Sequence, residues 1–159
     1  MSRSGADLAL LLLGGFRALV DDAILELAER GYEDVRPVHD FTMRAIAAGA
    51  DNASELGRRL SVSKQAATKT VVVLEERGYV IRDADPLDAR RKHLQVTALG
   101  FEVMEVGEAV FDELRDKWKR KIGARQLERL ESDLVALVGV SPVSIESPGW
   151  IASSLDEST

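Results

Sequence analysis

Between Ala53 and Thr97 the apolar residues change their period, from the three-to-four spacing of a helix to the alternation of a strand. The segment reads ASELGRRLSVSKQAATKTVVVLEERGYVIRDADPLDARRKHLQVT, which predicts two short helices and then a hairpin. Asn52 is a good N-cap, and Glu55 three residues on makes N-A-S-E a capping-box pattern. Leu56 and Leu60 share one face of the first helix. Ser61-Val62 is the turn, and Ser63 caps the second helix, KQAATKTVVVLEER. On that helix Ala67, Thr70, Val71 and Leu74 share a face at spacings of three and four. Gly78 suits the position just past the helix end, where a left-handed backbone is common.

Lys64, Gln65, Thr68 and Lys69 are left outside the apolar face, near the N-terminus that Ser63 caps. A helix lying in a major groove puts its N-terminal residues on base edges. Gln can bond adenine bidentately, Lys can reach guanine or phosphate, and Thr can read several edges. In the hairpin, Val80-Ile81-Arg82 reads as one strand and HLQVT as the other, with Leu94 and Val96 on one face. The intervening DADPLDARRK is expected as the connection. Asp85-Pro86 marks its turn, and Arg90, Arg91 and Lys92 place three positive charges at the tip. A narrow minor groove attracts inserted arginine. Helix, turn, helix and a basic hairpin, in that order, make a winged helix-turn-helix, a DNA-binding module.

The segment resembles the MarR family of bacterial transcription regulators. The residues that carry the resemblance are S-E-L in the first helix, S-K-Q-A-A-T-K in the second and L-E-E-R-G-Y-V into the wing. The wing, D-P-L-D-A-R-R-K-H-L-Q-V-T followed by A-L-G, is the most specific part. The family's Asp-x-Arg, Leu-Thr and glycine stand here as Asp88, Arg90, Val96-Thr97 and Gly100, with Val in place of Leu. Val72-Val73 departs from the family, where polar residues are more usual. The resemblance implies that Arg90 enters a minor groove, with Asp88 orienting it by pairing. It also implies a homodimer whose two winged domains meet a pseudopalindromic operator, and a small aromatic acid effector held where the winged and dimerisation helices join. By position, Arg17, His39, Phe41 and Arg44 are the candidates for that pocket.

The flanking sequence is helical. A helix is expected from about Ala6 to Arg30, with Leu8, Leu12, Phe16, Leu19, Ala23 and Leu27 in one stripe and Leu10, Leu11 and Leu13 widening it. A helix apolar on most sides needs cover, and a partner subunit is one source. Pro37 opens the next helix, with Val38, Phe41, Thr42, Ala45 and Ile46 inward and Gly49 at its close. Thr97 caps a long helix to about Ile122, on which Val103, Val106, Val110, Phe111, Leu114 and Trp118 recur. A last helix ends near Val138. KWKRK at 117–121 suits a helix C-terminus. The expected organisation is a dimerisation helix over 1–35, the winged domain over 36–98, further dimerisation helices over 99–138 and an irregular tail over 139–159. In that tail Trp150-Ile151 is the segment able to dock on the body. The fold class is mainly α, with a two-strand β-wing.

The net charge of −6 seems to oppose DNA, but residues 53–97 hold nine Lys/Arg against six Asp/Glu, and the deficit lies elsewhere. Phosphate affinity follows the local field and the counterions released. With no cysteine among 159 residues, disulfides, thiol redox sensing and cysteine-rich zinc sites are excluded. His39 and His93 have no spaced ligand partner, and Asp83, Asp85 and Asp88 lack the glycine and terminal glutamate of a calcium loop. No metal, cofactor or catalytic residue is expected, and the chain reads as a non-enzyme. The six-residue apolar run Leu8–Leu13 is too short to span a bilayer, so a cytoplasmic protein is expected, with no membrane partner. The predicted function is a sequence-specific transcription regulator of double-stranded DNA, a repressor released by its effector. The alternative is a winged protein-interaction module without DNA binding.

Overall fold

The computed structural model describes residues 3–139, so the expected tail lies outside the described residues except for Gly139. The elements are α1 (Gly5–Glu29), α2 (Pro37–Ala47), α3 (Ala53–Leu60), α4 (Lys64–Glu76), β1 (Val80–Asp85), β2 (Asp88–Val96), α5 (Ala98–Ile122) and α6 (Ala124–Val138).

Side chains set most of the helix starts. Ser4 and Asp7 form a reciprocal capping box on α1, with Oγ accepting from Asp7 N–H at 3.1 Å and the carboxylate accepting from Ser4 N–H at 2.8 Å. Pro37 opens α2. Asn52 Oδ1 accepts from Glu55 N–H at 2.9 Å. The other half of that expected box is not made, because the Glu55 carboxylate turns to Arg59 at 2.8 Å. Ser63 Oγ caps α4 by accepting from Ala66 N–H at 3.0 Å. Thr97 Oγ1 does the same for Gly100 at the head of α5 and donates to the Gly78 carbonyl at 2.6 Å, tying α4's exit to α5's entry.

One core runs through these elements. Met43 and Ala45 of α2, Leu56 of α3, Val71 and Leu74 of α4, Val80 of β1 and Val103 and Val110 of α5 are at most 1% exposed. Ala23 and Leu27 of α1 and Leu94 of β2 complete the same cluster. Each such Val, Leu or Met side chain contributes on the order of 1.5–3 kcal/mol by leaving water, so the winged helices are held by the long helices and not merely strung beside them. The α1 stripe divides. Its C-terminal half, through Val20, Ala23 and Leu27, is buried, whereas Leu8 and Leu10 to Leu13 stay 41–65% exposed in the single chain.

The hairpin is longer than its apolar pattern predicts. β1 and β2 pair antiparallel from Val80↔Val96 to Ala84↔Lys92, and the register then jumps to Asp85↔Asp88. The tip is therefore Pro86-Leu87, and Arg90, Arg91 and Lys92 lie within β2, corrected from the tip loop expected above. Ala89, Arg90 and Arg91 fall where the ladder slips, a bulge. Backbone hydrogen bonds make a ladder whatever the side chains are, so a charged run without alternation concealed a strand.

Candidate nucleic-acid interface

The N-terminal half of α4 presents its outer face because a tight α3–α4 turn sets the angle between the two helices. Ser61 takes a left-handed φ of 54°, and Val62 N–H bonds back to the Gly57 carbonyl at 2.9 Å. A Cβ on Gly57 would stand 2.8 Å from the Val62 carbonyl oxygen. A glycine inside a helix usually weakens it, yet here the turn cannot fold over any other residue without shifting. That requirement was missed from the sequence, where G-R-R gave only the composition of a helix end. Gly100 is a second case. Its Cβ would lie 2.2 Å from the Tyr79 carbonyl oxygen, so the glycine of A-L-G lets α5 start hard against the base of β1.

The nine Lys/Arg of 53–97 separate into two kinds. Arg58 and Arg59 pair with Glu55, Arg77 with Asp34, and Arg82 with Glu75. Arg77 also donates to the Asp34 carbonyl at 2.8 Å, holding the end of α4 to the α1–α2 loop, and Arg82 at 2.6 Å holds β1 to α4. The remaining five are Lys64, Lys69, Arg90, Arg91 and Lys92. All are exposed, and among the described residues none has a carboxylate within salt-bridge distance. They are the five cations expected from the sequence to meet a nucleic acid.

Gln65 is exposed beside them, and Ser63 serves as the cap. Thr68 is half-buried, and its hydroxyl donates to the Lys64 carbonyl at 2.8 Å, so that donor is committed to the helix. Asp88 forms no ion pair with a wing arginine. Its Oδ1 instead accepts from the Arg90 backbone N–H at 3.0 Å, while Asp85 Oδ1 accepts from Leu87 N–H at 2.8 Å. The two carboxylates brace the backbone of the wing tip, and the Arg90 guanidinium is left exposed.

Where α1, α2 and α5 meet there is a cavity of about 290 Å³, lined by Phe16, Phe41 and Phe111 among other apolar groups and by Arg36, Asp40, Arg44 and Glu108. Arg44 is shared, at 2.6 Å from Asp40 and 3.2 Å from Glu108. Burial pushes the Asp40 carboxyl above its ordinary value, although the Arg44 guanidinium beside it pulls the other way. Of the four residues expected here, Phe41 and Arg44 line the cavity. Arg17 lines a neighbouring cleft with Asp34 and Arg36. His39 is 5% exposed, and its Nδ1 accepts from Arg36 N–H at 3.0 Å at the start of α2. A His in the first turn can fold back on the helix end, which is the part His39 takes.

Residues 41–91 match the MarR family model. The matched segment begins inside α2, and it carries four of the five cations set apart above, all but Lys92. YusO from Bacillus subtilis is similar in fold, with a TM-score of 0.65 at 18% identity over 87% of this chain and 99% of its own. Tm0710, a transcriptional regulator from Thermotoga maritima, gives 0.62 at 24% identity over 86% and 94%. S. aureus MepR in its DNA complex gives 0.61 at 16% identity over 83% and 96%. The likeness of fold to these structures thus extends beyond the matched segment to the long flanking helices. Nothing among the curated proteins matches the sequence. Among the described residues no group of three or more His, Asp or Glu is placed to hold a metal ion, and no helix is long and apolar enough to cross a membrane.

Proposed function

We propose that the protein is a non-enzymatic, dimeric transcription regulator that binds double-stranded DNA in a sequence-specific manner. The carrying observation is the division of its cations. Four arginines of the winged segment are spent on carboxylates, and the five unpaired ones lie on α4 and β2, the two elements that enter grooves in this architecture. The DNA complex of MepR, a protein of the same fold, supports the reading. On this proposal Lys64, Gln65 and Lys69 face a major groove and Arg90 a minor groove, with Arg91 and Lys92 on phosphates. A dimer follows from the exposed leucines of α1, and its two-fold axis calls for a pseudopalindromic operator with half-sites about 34–36 Å apart. Occlusion of a promoter makes the protein a repressor.

Selection of bound sequences from a random DNA pool tests this. The expected product is an inverted repeat, bound with a log K against log salt slope on the order of −5 or steeper. Recovery of no preferred sequence, or a slope near zero, would remove the function.

The cavity beside Arg44 is the place for an effector. Its three phenyl rings fit the aromatic part of the ligand expected from the sequence. Its charge does not single out the acid part, because Arg44 already serves Asp40 and Glu108, and Arg36, the other cation of the lining, pairs with Asp34. A neutral or cationic aromatic compound suits it better, with rings available to a cation. Benzoate and benzyltrimethylammonium, titrated with and without operator, separate the two. Tighter benzoate binding reverses the charge assignment, and equal affinity in the presence and absence of DNA rules out coupling.

A further inference from the structure

Val72 has no part in the fold as described. Ala67, Val71 and Leu74 bury the inner face of α4 at no more than 1% exposure, whereas Val72 is 43% exposed on the other side. It follows Gln65, Thr68 and Lys69 at i, i+3, i+4 and i+7, the spacing at which a recognition helix sets four side chains against base edges. An isopropyl group has no hydrogen-bonding atom. In a major groove the group it matches best is the 5-methyl group of thymine, since apart from the small C5–H of cytosine the other groups read on a base edge there are donors or acceptors. Thr68, one turn earlier, has its hydroxyl proton committed to the Lys64 carbonyl, which leaves its methyl as a second apolar contact. Side chains at i and i+4 stand about 5–6 Å apart, and base pairs rise about 3.4 Å per step, so the two methyl groups span neighbouring steps. Among the described residues Lys64 and Lys69 flank this pair without a carboxylate in salt-bridge distance, and that charge suits a polyanion on the same face.

Resting on the DNA-binding reading above, we infer that Val72, assisted by the Thr68 methyl, reads the 5-methyl groups of neighbouring thymines in each operator half-site. The departure from polar residues at Val72 is then an exchange of hydrogen-bond reading for methyl reading.

The test uses the full chain and an operator recovered by selection, with each thymine replaced in turn by deoxyuridine, which lacks only the methyl. Wild-type protein should lose about three- to fivefold in affinity at one or two neighbouring thymines per half-site, the worth of burying one methyl, and little elsewhere. Val72→Ala should bind thymine and uracil alike at one of these positions, with an unchanged melting temperature showing that it folds. Thr68→Ser, which keeps the hydroxyl, should erase the preference at the other. Lys64→Ala should weaken every operator while keeping the thymine-to-uracil ratio. Equal wild-type affinity for thymine and uracil at all positions overturns the inference, as does a ratio that survives Val72→Ala. A protein that selects no sequence at all would instead overturn the DNA-binding reading beneath it, including the case in which this face binds an acidic peptide.

Discussion

Asp88 shows how a negative charge can be retained on a basic strand for its hydrogen bond. Its carboxylate accepts from the Arg90 N–H at 3.0 Å, in the segment where the ladder slips. Charge alone predicts that any neutral residue there tightens DNA binding. The geometry predicts that Asp88→Asn, which keeps the acceptor, binds at least as tightly as wild type. Asp88→Ala should bind about fivefold more weakly, the worth of one net hydrogen bond. Fluorescence-anisotropy titrations on one operator decide it, and tighter binding by both variants would dismiss the brace. Asp40 offers a second residue-scale test. Burial holds its carboxyl above its ordinary value of 3.8, with Arg44 opposing. Between 3.8 and the raised value, the folded chain keeps a proton that the unfolded chain has released. Its contribution to stability therefore falls as pH rises through that window and levels off above it. In urea unfolding across the acid range above pH 3.8, the stability of wild type minus that of Asp40→Asn should decline with pH. A rising difference would mean that Arg44 outweighs burial.

At the scale of elements, the junction of the wing with α5 depends on close backbone approach. A Cβ at Gly100 would come within 2.2 Å of the Tyr79 carbonyl and 2.7 Å of the Val96 side chain. The carbonyl is backbone and cannot swing aside, so Gly100→Ala must push α5 off the hairpin. Overpacking of this kind costs about 1–3 kcal/mol or somewhat more, against the slight gain expected from placing alanine in a helix. Denaturant midpoints for the two proteins check the sign, and a stabilised variant would contradict the packing described. The recognition helix was legible as an element because its two faces are chemically distinct. Ala67, Val71 and Leu74 are buried as their spacing predicts, and Lys64, Gln65 and Lys69 are exposed. The wing was legible only at its base, where Val80, Leu94 and Val96 alternate.

For the whole molecule the unsolved surface is α1. Leu8 and Leu10 to Leu13 leave a contiguous run of sequence at 41–65% exposure, and α6 adds Leu130, Val135, Leu137 and Val138 at 39–80%. Obligate interfaces resemble a core cut in half, and a second copy is the cover the proposed function requires. Leu12→Asp should fold, since Leu12 is 49% exposed in the single chain. It should sediment as a monomer and lose most operator affinity, because one winged domain forfeits the other half-site. Wild-type protein that is a well-folded monomer at micromolar concentration would end the dimeric account.

Local chemistry was enough for what depends on neighbours in sequence. Asn52, Ser63 and Thr97 cap the helices that their types predict, Gly78 follows α4 with a φ of 75°, and α5 ends at Ile122 as read. Those features are settled within one or two helical turns, by hydrogen bonds and backbone sterics. What sequence left open depends on partners far along the chain. It could not say that Arg77 would meet Asp34 and Arg82 Glu75 while Arg90 to Lys92 met no carboxylate. Nor could it place Phe41 and Arg44 in the α1–α2–α5 cavity while turning His39 back to cap α2 and Arg17 into the next cleft. Equal charges look equal in a sequence, and only the tertiary fold decides which of them are neutralised by a neighbour and which remain for a partner.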